Sequence, residues 1–261
     1  YLTFFNSDKP ILFPDITYSF YPVWCDLYRI PYETPALDEE FRLVKEDYYK
    51  DNGGIIIANP NAPTSIYESI STIEDIVAHN TNSVVIIDEA YIDFAGESAL
   101  SLIDKYDNLL VVQTFSKSRS MAGMRIGFAM GNKKLIKALN DVKYSFNSYT
   151  LNQAAILAGV EAIKDKQYFK EGINKLIEIR KEAEKSLKEL GFDFPASGAN
   201  FLFVTHKTIP AKKLYEVLKE NNIYVRYFDL PRISNYLRVT IGSKEQMDKL
   251  FEFLNQYINN K

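Results

Sequence analysis

The sequence has few of the residue types that usually build disulfide or metal sites. It contains one cysteine, Cys25, so no disulfide can form within the chain, and this composition suits a reducing compartment. The two histidines, His79 and His206, do not have the spacing of metal ligands. We therefore expect neither a disulfide framework nor a bound metal.

Long apolar runs and a strong net charge are also absent. No apolar run reaches the roughly 18 residues that a membrane span needs, and no signal peptide is recognisable. The net charge of −3 gives no reason to expect nucleic acid or a membrane surface as a partner. The 261 residues, 46% hydrophobic and 25% charged, are typical of a globular protein with one large or two medium domains.

Short apolar runs predict buried strands in the first half of the chain, at residues 55–57, 84–87, 109–112 and 126–129. Between the first two, Ser71 and Glu74 have the spacing of a capping box that starts a helix. Ile73, Ile76 and Val77 would share the buried face of that helix. A strand, a helix and a strand at this spacing form a βαβ unit, so the two strands should be parallel.

Polar residues follow three of these runs, at the point where each strand should end. They are Asn59-Pro60-Asn61, Asp88-Glu89-Ala90-Tyr91 and Thr114-Phe115-Ser116-Lys117. In a parallel sheet, ligands bind outside the carboxyl ends of the strands. We therefore expect these three segments to converge on one binding crevice.

The second half of the chain predicts a smaller α/β unit. Residues 151–164 and 168–190 are predicted helices, the second ended by Gly191, and strands are predicted at 201–204, 223–226 and 237–241. A further helix should begin at Pro210, and a last one at Ser243, where Gln246 completes a capping box. We predict a large domain over residues 1–150, and a connector helix with a small C-terminal domain over 151–261.

Several of these segments together resemble the signature of fold-type I, pyridoxal-phosphate (PLP) dependent aminotransferases of class II. The segments are residues 59–64, 88–91, 116–117 and 122–127, and later 235–242. The set is close to that of the histidinol-phosphate aminotransferase family. The resemblance implies an α/β fold with a mainly parallel sheet in a large domain and a smaller C-terminal α/β domain.

The resemblance assigns roles around the cofactor ring. Lys117 resembles the lysine that forms the Schiff base and later moves a proton, and Asp88 resembles the partner of the pyridine nitrogen. Asn61 and Tyr91 resemble the ligands of the ring's O3′, and Tyr18 resembles the aromatic residue that stacks on the ring. Lys117, Asp88 and Tyr91 are therefore the candidate catalytic residues.

The resemblance also implies anion-binding residues. Arg125 and the hydroxyls of Thr114 and Ser116 resemble the ligands of the cofactor phosphate, since a planar guanidinium can bind two phosphate oxygens at once. Arg238 resembles the residue that binds a substrate carboxylate. Arg226, twelve residues earlier, is a second candidate for the substrate site.

The implied reaction is transamination of L-histidinol phosphate with 2-oxoglutarate in histidine biosynthesis, by a cytoplasmic homodimer that binds small amino and 2-oxo acids. One alternative is a PLP-dependent threonine-phosphate decarboxylase, whose family shares these motifs. Another is a non-catalytic fragment or regulator that keeps the fold. Asp88-Glu89 after a buried strand also fits an ATPase, but the sequence has no phosphate-binding Gly-x-x-x-x-Gly-Lys-Ser/Thr segment.

Some residues also fit plainer roles, and two features depart from the family. Tyr18 and Tyr21 fit ordinary core positions, and Arg226 fits a surface ion pair. Ser65 stands where the family usually has glycine, which is unfavourable if this position needs positive φ. The chain opens at Tyr1, and the family's N-terminal arm and phosphate-binding glycine loop would precede it. We expect the polypeptide as written to bind PLP poorly.

Overall fold

The computed structural model describes residues 1–259, and its first half is built on a six-stranded sheet. The strands are β1 (Ile11–Leu12), β2 (Tyr32–Glu33), β3 (Gly54–Ala58), β4 (Val85–Asp88), β5 (Leu109–Thr114) and β6 (Gly127–Gly131), in the order β2-β1-β3-β4-β5-β6. All neighbours are parallel except β5 and β6. The parallel pairing predicted for the first two apolar runs is therefore confirmed.

Strand β3 and the first residues of β4 and β5 are apolar because helices and loops cover both faces of the sheet. All five residues of β3 are buried. The helices of this half are α1 (Phe20–Tyr28), α2 (Ile70–His79) and α3 (Lys133–Phe146). Strands β3, β4 and β5 are parallel and end at the same edge of the sheet, so the polar residues that follow them meet there.

Helix α2 confirms the predicted buried face but not the predicted start. Ile73, Ile76 and Val77 are buried against the sheet. The residue that caps the helix is Ser69, whose side chain accepts a hydrogen bond from the backbone N–H of Thr72. The predicted capping box at Ser71 is wrong, because the extended conformation of the cap falls on Ser69 and Ser71 lies inside the first turn.

The second half contains α4 (Gln153–Lys164), α5 (Lys166–Glu189), α6 (Ala211–Glu220) and α7 (Lys244–Asn259). Its sheet consists of β7 (Phe192–Asp193), β8 (Phe201–His206), β9 (Arg226–Tyr227) and β10 (Leu237–Thr240), in the order β7-β8-β10-β9. Apolar residues of α5, α6, α7 and this sheet form one buried cluster. The division into domains at residue 150 stays a prediction.

The predicted ends of the elements in the second half are mostly confirmed. Gly191 follows α5 with φ of 85°, and Ser243 and Gln246 exchange the two hydrogen bonds of a capping box. The strand predicted at 223–226 is wrong in extent, since β9 begins only at Arg226.

Helix α5 links the two halves through a buried arginine. The Arg180 guanidinium donates hydrogen bonds to the backbone oxygens of Phe94, at 3.3 Å, and Ala199, at 2.6 Å. Phe94 lies beyond β4, whereas Ala199 lies just before β8.

Within residues 1–259, no helix combines the length and apolar character needed to cross a bilayer.

Candidate active site

A cavity of about 390 Å³ opens at the carboxyl ends of β3, β4 and β5. Seven of the eight predicted cofactor-binding residues line it: Tyr18, Asp88, Tyr91, Thr114, Ser116, Lys117 and Arg125. They come from chain segments that are far apart in the sequence and meet because the parallel strands end together. The cavity is therefore where the sheet topology predicts a ligand site.

Asp88, the last residue of β4, has both carboxylate oxygens held by the protein. Oδ2 accepts a hydrogen bond from the Tyr21 hydroxyl at 2.9 Å, and Oδ1 accepts one from the backbone N–H of Ala90 at 3.1 Å. Burial raises the pKa of the Asp88 carboxyl, while these two hydrogen bonds and the charge of Lys117 oppose the rise. A cation at the cavity end of this carboxylate would complete its neutralisation.

Lys117 lies in the loop after β5, which neighbouring contacts hold in place. The Ser118 hydroxyl donates a hydrogen bond to the carboxylate of Asp93. The Arg119 guanidinium donates to the backbone oxygen of Ala162 on α4, and it lies 4.0 Å from the ring centre of Phe169. The side chain of Lys117 is therefore presented from a loop that is fixed to two other parts of the protein.

The residues predicted to bind the cofactor phosphate lie close together in the wall of the cavity. The Thr114 hydroxyl lies 3.0 Å from the Ser116 hydroxyl and accepts a hydrogen bond from the backbone N–H of Ser116. When the Ser116 hydroxyl accepts from Thr114, its own hydrogen is available to a ligand. Arg125 has φ of 55° and its guanidinium donates to the backbone oxygen of Ala122, which leaves further N–H groups for an anion.

Asn61 is the predicted cofactor residue that does not line the cavity. It is buried, and its side-chain amide donates to the backbone oxygen of Ile16 and to the Thr64 hydroxyl, at 2.9 and 3.0 Å. Its oxygen accepts from the Thr17 hydroxyl at 2.8 Å. In this structure Asn61 therefore braces the segment that carries Tyr18, and its role toward a ligand stays a prediction.

A second cavity, of about 650 Å³, adjoins the first and contains both predicted substrate residues, Arg226 and Arg238. Tyr18 and Ala62 line both cavities. Phe201 lies between the two groups of residues, because its ring meets the Tyr91 ring edge-on at 5.2 Å and lies 5.1 Å from the Arg238 guanidinium. The two cavities thus form neighbouring parts of one cleft.

Arg226 and Arg238 are direct partners across the antiparallel pair β9 and β10. Like charges at opposite positions of a sheet destabilise it, so the pair has a structural cost unless an anion lies between or beside them. Burial lowers the pKa of the Arg238 guanidinium, and the charge of Arg226 lowers it further. Within residues 1–259, the buried Nε of Arg238 meets no hydrogen-bond acceptor.

These groups fit PLP. The cofactor carries a phosphate dianion, for which Arg125, Thr114 and Ser116 supply a cation and hydroxyls, and a ring nitrogen, for which Asp88 supplies a held carboxylate. Lys117 is the amine that lines the same cavity. In the part of the chain from Tyr1 to Asn259, no group of three or more His, Cys, Asp or Glu side chains is placed to hold a metal ion.

Tyr21 is the site residue whose role sequence reasoning missed. It fits an apolar position of α1, and it is buried, but its hydroxyl contacts Asp88, which is 67 positions away in the sequence. The one available signal was its position three residues after Tyr18 in a short aromatic segment. Phe201 gave no signal beyond its place in an apolar strand.

A sequence profile described as "Aminotransferase class I and II" matches residues 1–254. The chain is 51% identical over 259 residues to a histidinol-phosphate aminotransferase of Clostridium botulinum, covering 99% of this chain and 73% of that protein. It is 50% identical over 258 residues to a histidinol-phosphate aminotransferase of Lactococcus lactis, covering 99% of this chain and 72% of that protein.

The fold is also similar to solved structures. One of them, the histidinol-phosphate aminotransferase of Clostridium acetobutylicum, superimposes with a TM-score of 0.89 at 25% identity. That similarity covers 97% of this chain and 79% of the other. The fold-type I architecture predicted from the sequence is therefore confirmed.

Proposed function

This chain belongs to the class I and II aminotransferase family, and we propose that it transfers the amino group of L-histidinol phosphate to 2-oxoglutarate with PLP as cofactor. Relatives named for this activity are 50% and 51% identical to it over nearly the whole of this chain. The observation that carries the proposal is the pair Arg226 and Arg238, set across one sheet beside the cavity that holds Lys117 and Asp88.

Each residue around the cofactor ring would have a separate role in amino transfer. When bound, PLP links covalently to the substrate's amino group and draws electrons away from the α-carbon. Asp88 would keep the ring nitrogen protonated by charge and hydrogen bonding. The amine of Lys117 would take the proton from the substrate's α-carbon and later donate it to C4′ of the cofactor. Tyr91 would hold the ring hydroxyl, and Tyr18 would cover the ring face.

The phosphate end would be held by Arg125, Thr114 and Ser116. The guanidinium would offset the charge of the dianion, and the Ser116 hydroxyl, oriented by Thr114, would donate a hydrogen bond to it, which would hold the phosphate end of the cofactor in place. Asn61 would act on the ring hydroxyl only after giving up one of its present hydrogen bonds. In the present arrangement it supports the segment of Tyr18 instead.

Two different substrates must use the same cleft. L-Histidinol phosphate carries a phosphate and no α-carboxylate, whereas glutamate carries two carboxylates. Arginine suits both because its planar fork of N–H donors can bind either anion with two hydrogen bonds. Arg238, which is partly buried, would bind the anionic group of each substrate, and the more exposed Arg226 would add a second contact for the phosphate.

The proposal is tested with the purified protein, PLP at saturating concentration and each candidate substrate. We expect a cofactor absorbance band that changes on addition of L-histidinol phosphate and returns on addition of 2-oxoglutarate, as in a ping-pong reaction. Release of CO₂ from L-threonine phosphate, with no amino transfer, would replace the proposal with the decarboxylase function. Failure to bind PLP or to react with either substrate would favour a non-catalytic role.

The proposal extends to a cytoplasmic homodimer. Apolar side chains of α1 and α4 are exposed, namely Phe20, Val23, Trp24, Leu27, Ile156, Leu157, Val160 and Ile163. Exposed apolar patches of this kind favour a protein partner, and the family resemblance favours a second copy. A single buried thiol suits the reducing cytoplasm. Light scattering after size exclusion should give twice the chain mass, and a monomer at micromolar concentration would contradict the dimer.

A further inference from the structure

Tyr21 connects two of the residues that we assign to the cofactor site, although it does not line the cavity itself. It lies on α1 and only 5% of its surface is exposed. Its hydroxyl donates a hydrogen bond to Asp88 Oδ2 at 2.9 Å. Its ring meets the Tyr18 ring edge-on, with 5.6 Å between ring centres and an angle of 81°.

The tyrosine is itself fixed from several sides. Its backbone N–H donates to the backbone oxygen of Tyr18 at 3.1 Å, which joins the first turn of α1 to the segment just before the helix. Its ring packs edge-on against Phe13, with 5.8 Å between centres. A hydroxyl at the end of a ring held in this way has little freedom, and it can therefore fix the plane of the carboxylate that it contacts.

We propose that Tyr21 is a positioning residue for amino transfer, which holds Asp88 oriented and ionised through its hydroxyl and aligns Tyr18 through its ring. The inference rests on the proposed function, since it assigns Tyr21 a task at the cofactor site. The hydroxyl and the Ala90 N–H occupy one lone pair on each carboxylate oxygen, so the remaining lone pairs of Asp88 are left for a ring nitrogen.

The electrostatics of Asp88 support this role. The titratable groups that face it are Tyr21 on α1, Lys117 in the loop after β5, and the phenol of Tyr1. Burial raises the pKa of Asp88, and the hydrogen bond from Tyr21 is the first of the influences that lower it. Loss of the Tyr21 hydroxyl should therefore raise the pKa of Asp88 further, so that the carboxyl is protonated at a higher pH.

The test is Tyr21→Phe, which removes the hydroxyl and keeps the ring contact with Tyr18. Equilibrium dialysis would measure PLP affinity as a function of pH. The ionised carboxylate binds the protonated ring nitrogen, so PLP affinity should be lost when Asp88 becomes protonated as the pH is lowered. We expect this loss to occur at a higher pH in the variant than in the wild type. The turnover number should fall about ten- to a hundredfold, the range for one hydrogen bond to a charged group, with little change in KM.

The matched control is Tyr28→Phe, the same change at the end of the same helix. Tyr28 stacks on Trp24 with 6.1 Å between ring centres and does not line the cavity. We expect its pH profile of PLP binding to match that of the wild type. An equal shift in both variants would overturn the inference, because it would show a general effect on α1.

A double-mutant cycle separates positioning from packing. If Tyr21 acts through Asp88, the effect of Tyr21→Phe on PLP affinity should disappear in an Asp88→Ala background. An undiminished effect in that background would overturn the role through Asp88. Site-specific 3-fluorotyrosine at position 21 keeps the ring and makes the hydroxyl a stronger donor, so it should shift the pH profile the opposite way even if Tyr21→Phe folds poorly.

The inference and the proposed function can fail separately. If the wild-type protein neither binds PLP nor transfers an amino group, the proposed function fails and the task assigned to Tyr21 fails with it. If the wild type does both, and Tyr21→Phe has wild-type PLP affinity, pH profile and turnover, only the inference is overturned.

Discussion

The amine of Lys117 faces the ring of Tyr91, with Nζ 5.3 Å from the ring centre. A cation at this distance from an aromatic face is attracted by the ring's electron density. The same ring meets Phe201 of β8 edge-on. The position of the proposed catalytic amine is thus linked, through one tyrosine, to the sheet that carries the proposed substrate arginines.

We predict that Lys117→Ala abolishes amino transfer while the protein stays folded. The Lys117 side chain is exposed to the cavity and is not part of a buried core. The circular dichroism spectrum and melting temperature of the variant should therefore be close to those of the wild type. Borohydride reduction of the PLP-loaded wild type, followed by peptide mapping, should place the label on Lys117. Lys133→Ala at the exposed start of α3 is the control, and a label on any other lysine would refute the assignment.

Asp88→Asn should lose far more activity than PLP affinity. A neutral amide keeps the shape of the carboxylate but cannot hold a proton on the ring nitrogen. Loss of a charged interaction in a largely desolvated site is worth several kcal/mol, on the order of a thousandfold or more in rate. Turnover and PLP dissociation constants would be compared with those of Asp104→Asn, an exposed aspartate. Near-native turnover of Asp88→Asn would exclude this aspartate as the nitrogen partner.

The two arginines should differ in their effect on the two half-reactions. Arg238→Lys should weaken both, because a lysine cannot form the forked pair of hydrogen bonds. Arg226→Lys should weaken the reaction of L-histidinol phosphate more than that of glutamate, by roughly 1–3 kcal/mol. Stopped-flow rates of each half-reaction measure the difference. Equal losses for both substrates in Arg226→Lys would remove its specific role toward phosphate.

Ser65 should tolerate glycine better than alanine. It is fully buried and has φ of 64°, a left-handed conformation that costs a residue with a Cβ about 1 kcal/mol. Ser65→Gly removes this strain but adds freedom to the unfolded chain, so stability should change by less than about 1 kcal/mol. Ser65→Ala keeps the strain and loses the hydrogen bond to Thr64, so it should melt lower. Urea unfolding would rank the variants, and a glycine variant less stable than the alanine one would contradict the argument.

The sheet and the location of the site follow from local sequence patterns. The runs at 55–57, 84–87 and 109–112 form strands because three or four consecutive apolar residues suit a parallel sheet that is covered on both faces. Their ends define one edge, and the polar segments after them therefore converge. Helix α3 was not predicted, although Leu135, Ile136, Leu139 and Val142 recur at helical spacing; none of its residues is fully buried, so it lies outside the core.

The remaining features depend on contacts between distant residues. The contact between Tyr21 and Asp88 joins positions 67 apart, and no spacing rule on one segment could reveal it. The start of α2 at Ser69 rather than Ser71 depended on which of two nearby serines took the extended conformation. The pairing of Arg226 with Arg238 required the register of β9 and β10, which the short strand β9 does not encode by itself.

The buried Arg180 of α5 has a consequence for how the protein unfolds. Its guanidinium joins Phe94 of the first half to Ala199 of the second, so separating the two sheets would break its hydrogen bond to Phe94 and leave that backbone oxygen without its arginine partner. Moving either sheet away from this contact would therefore leave a buried polar group without its hydrogen bond. Hydrogen exchange should show the amides of β4 and β8 exchanging through one shared opening event, with similar free energies, rather than as two independent folding units.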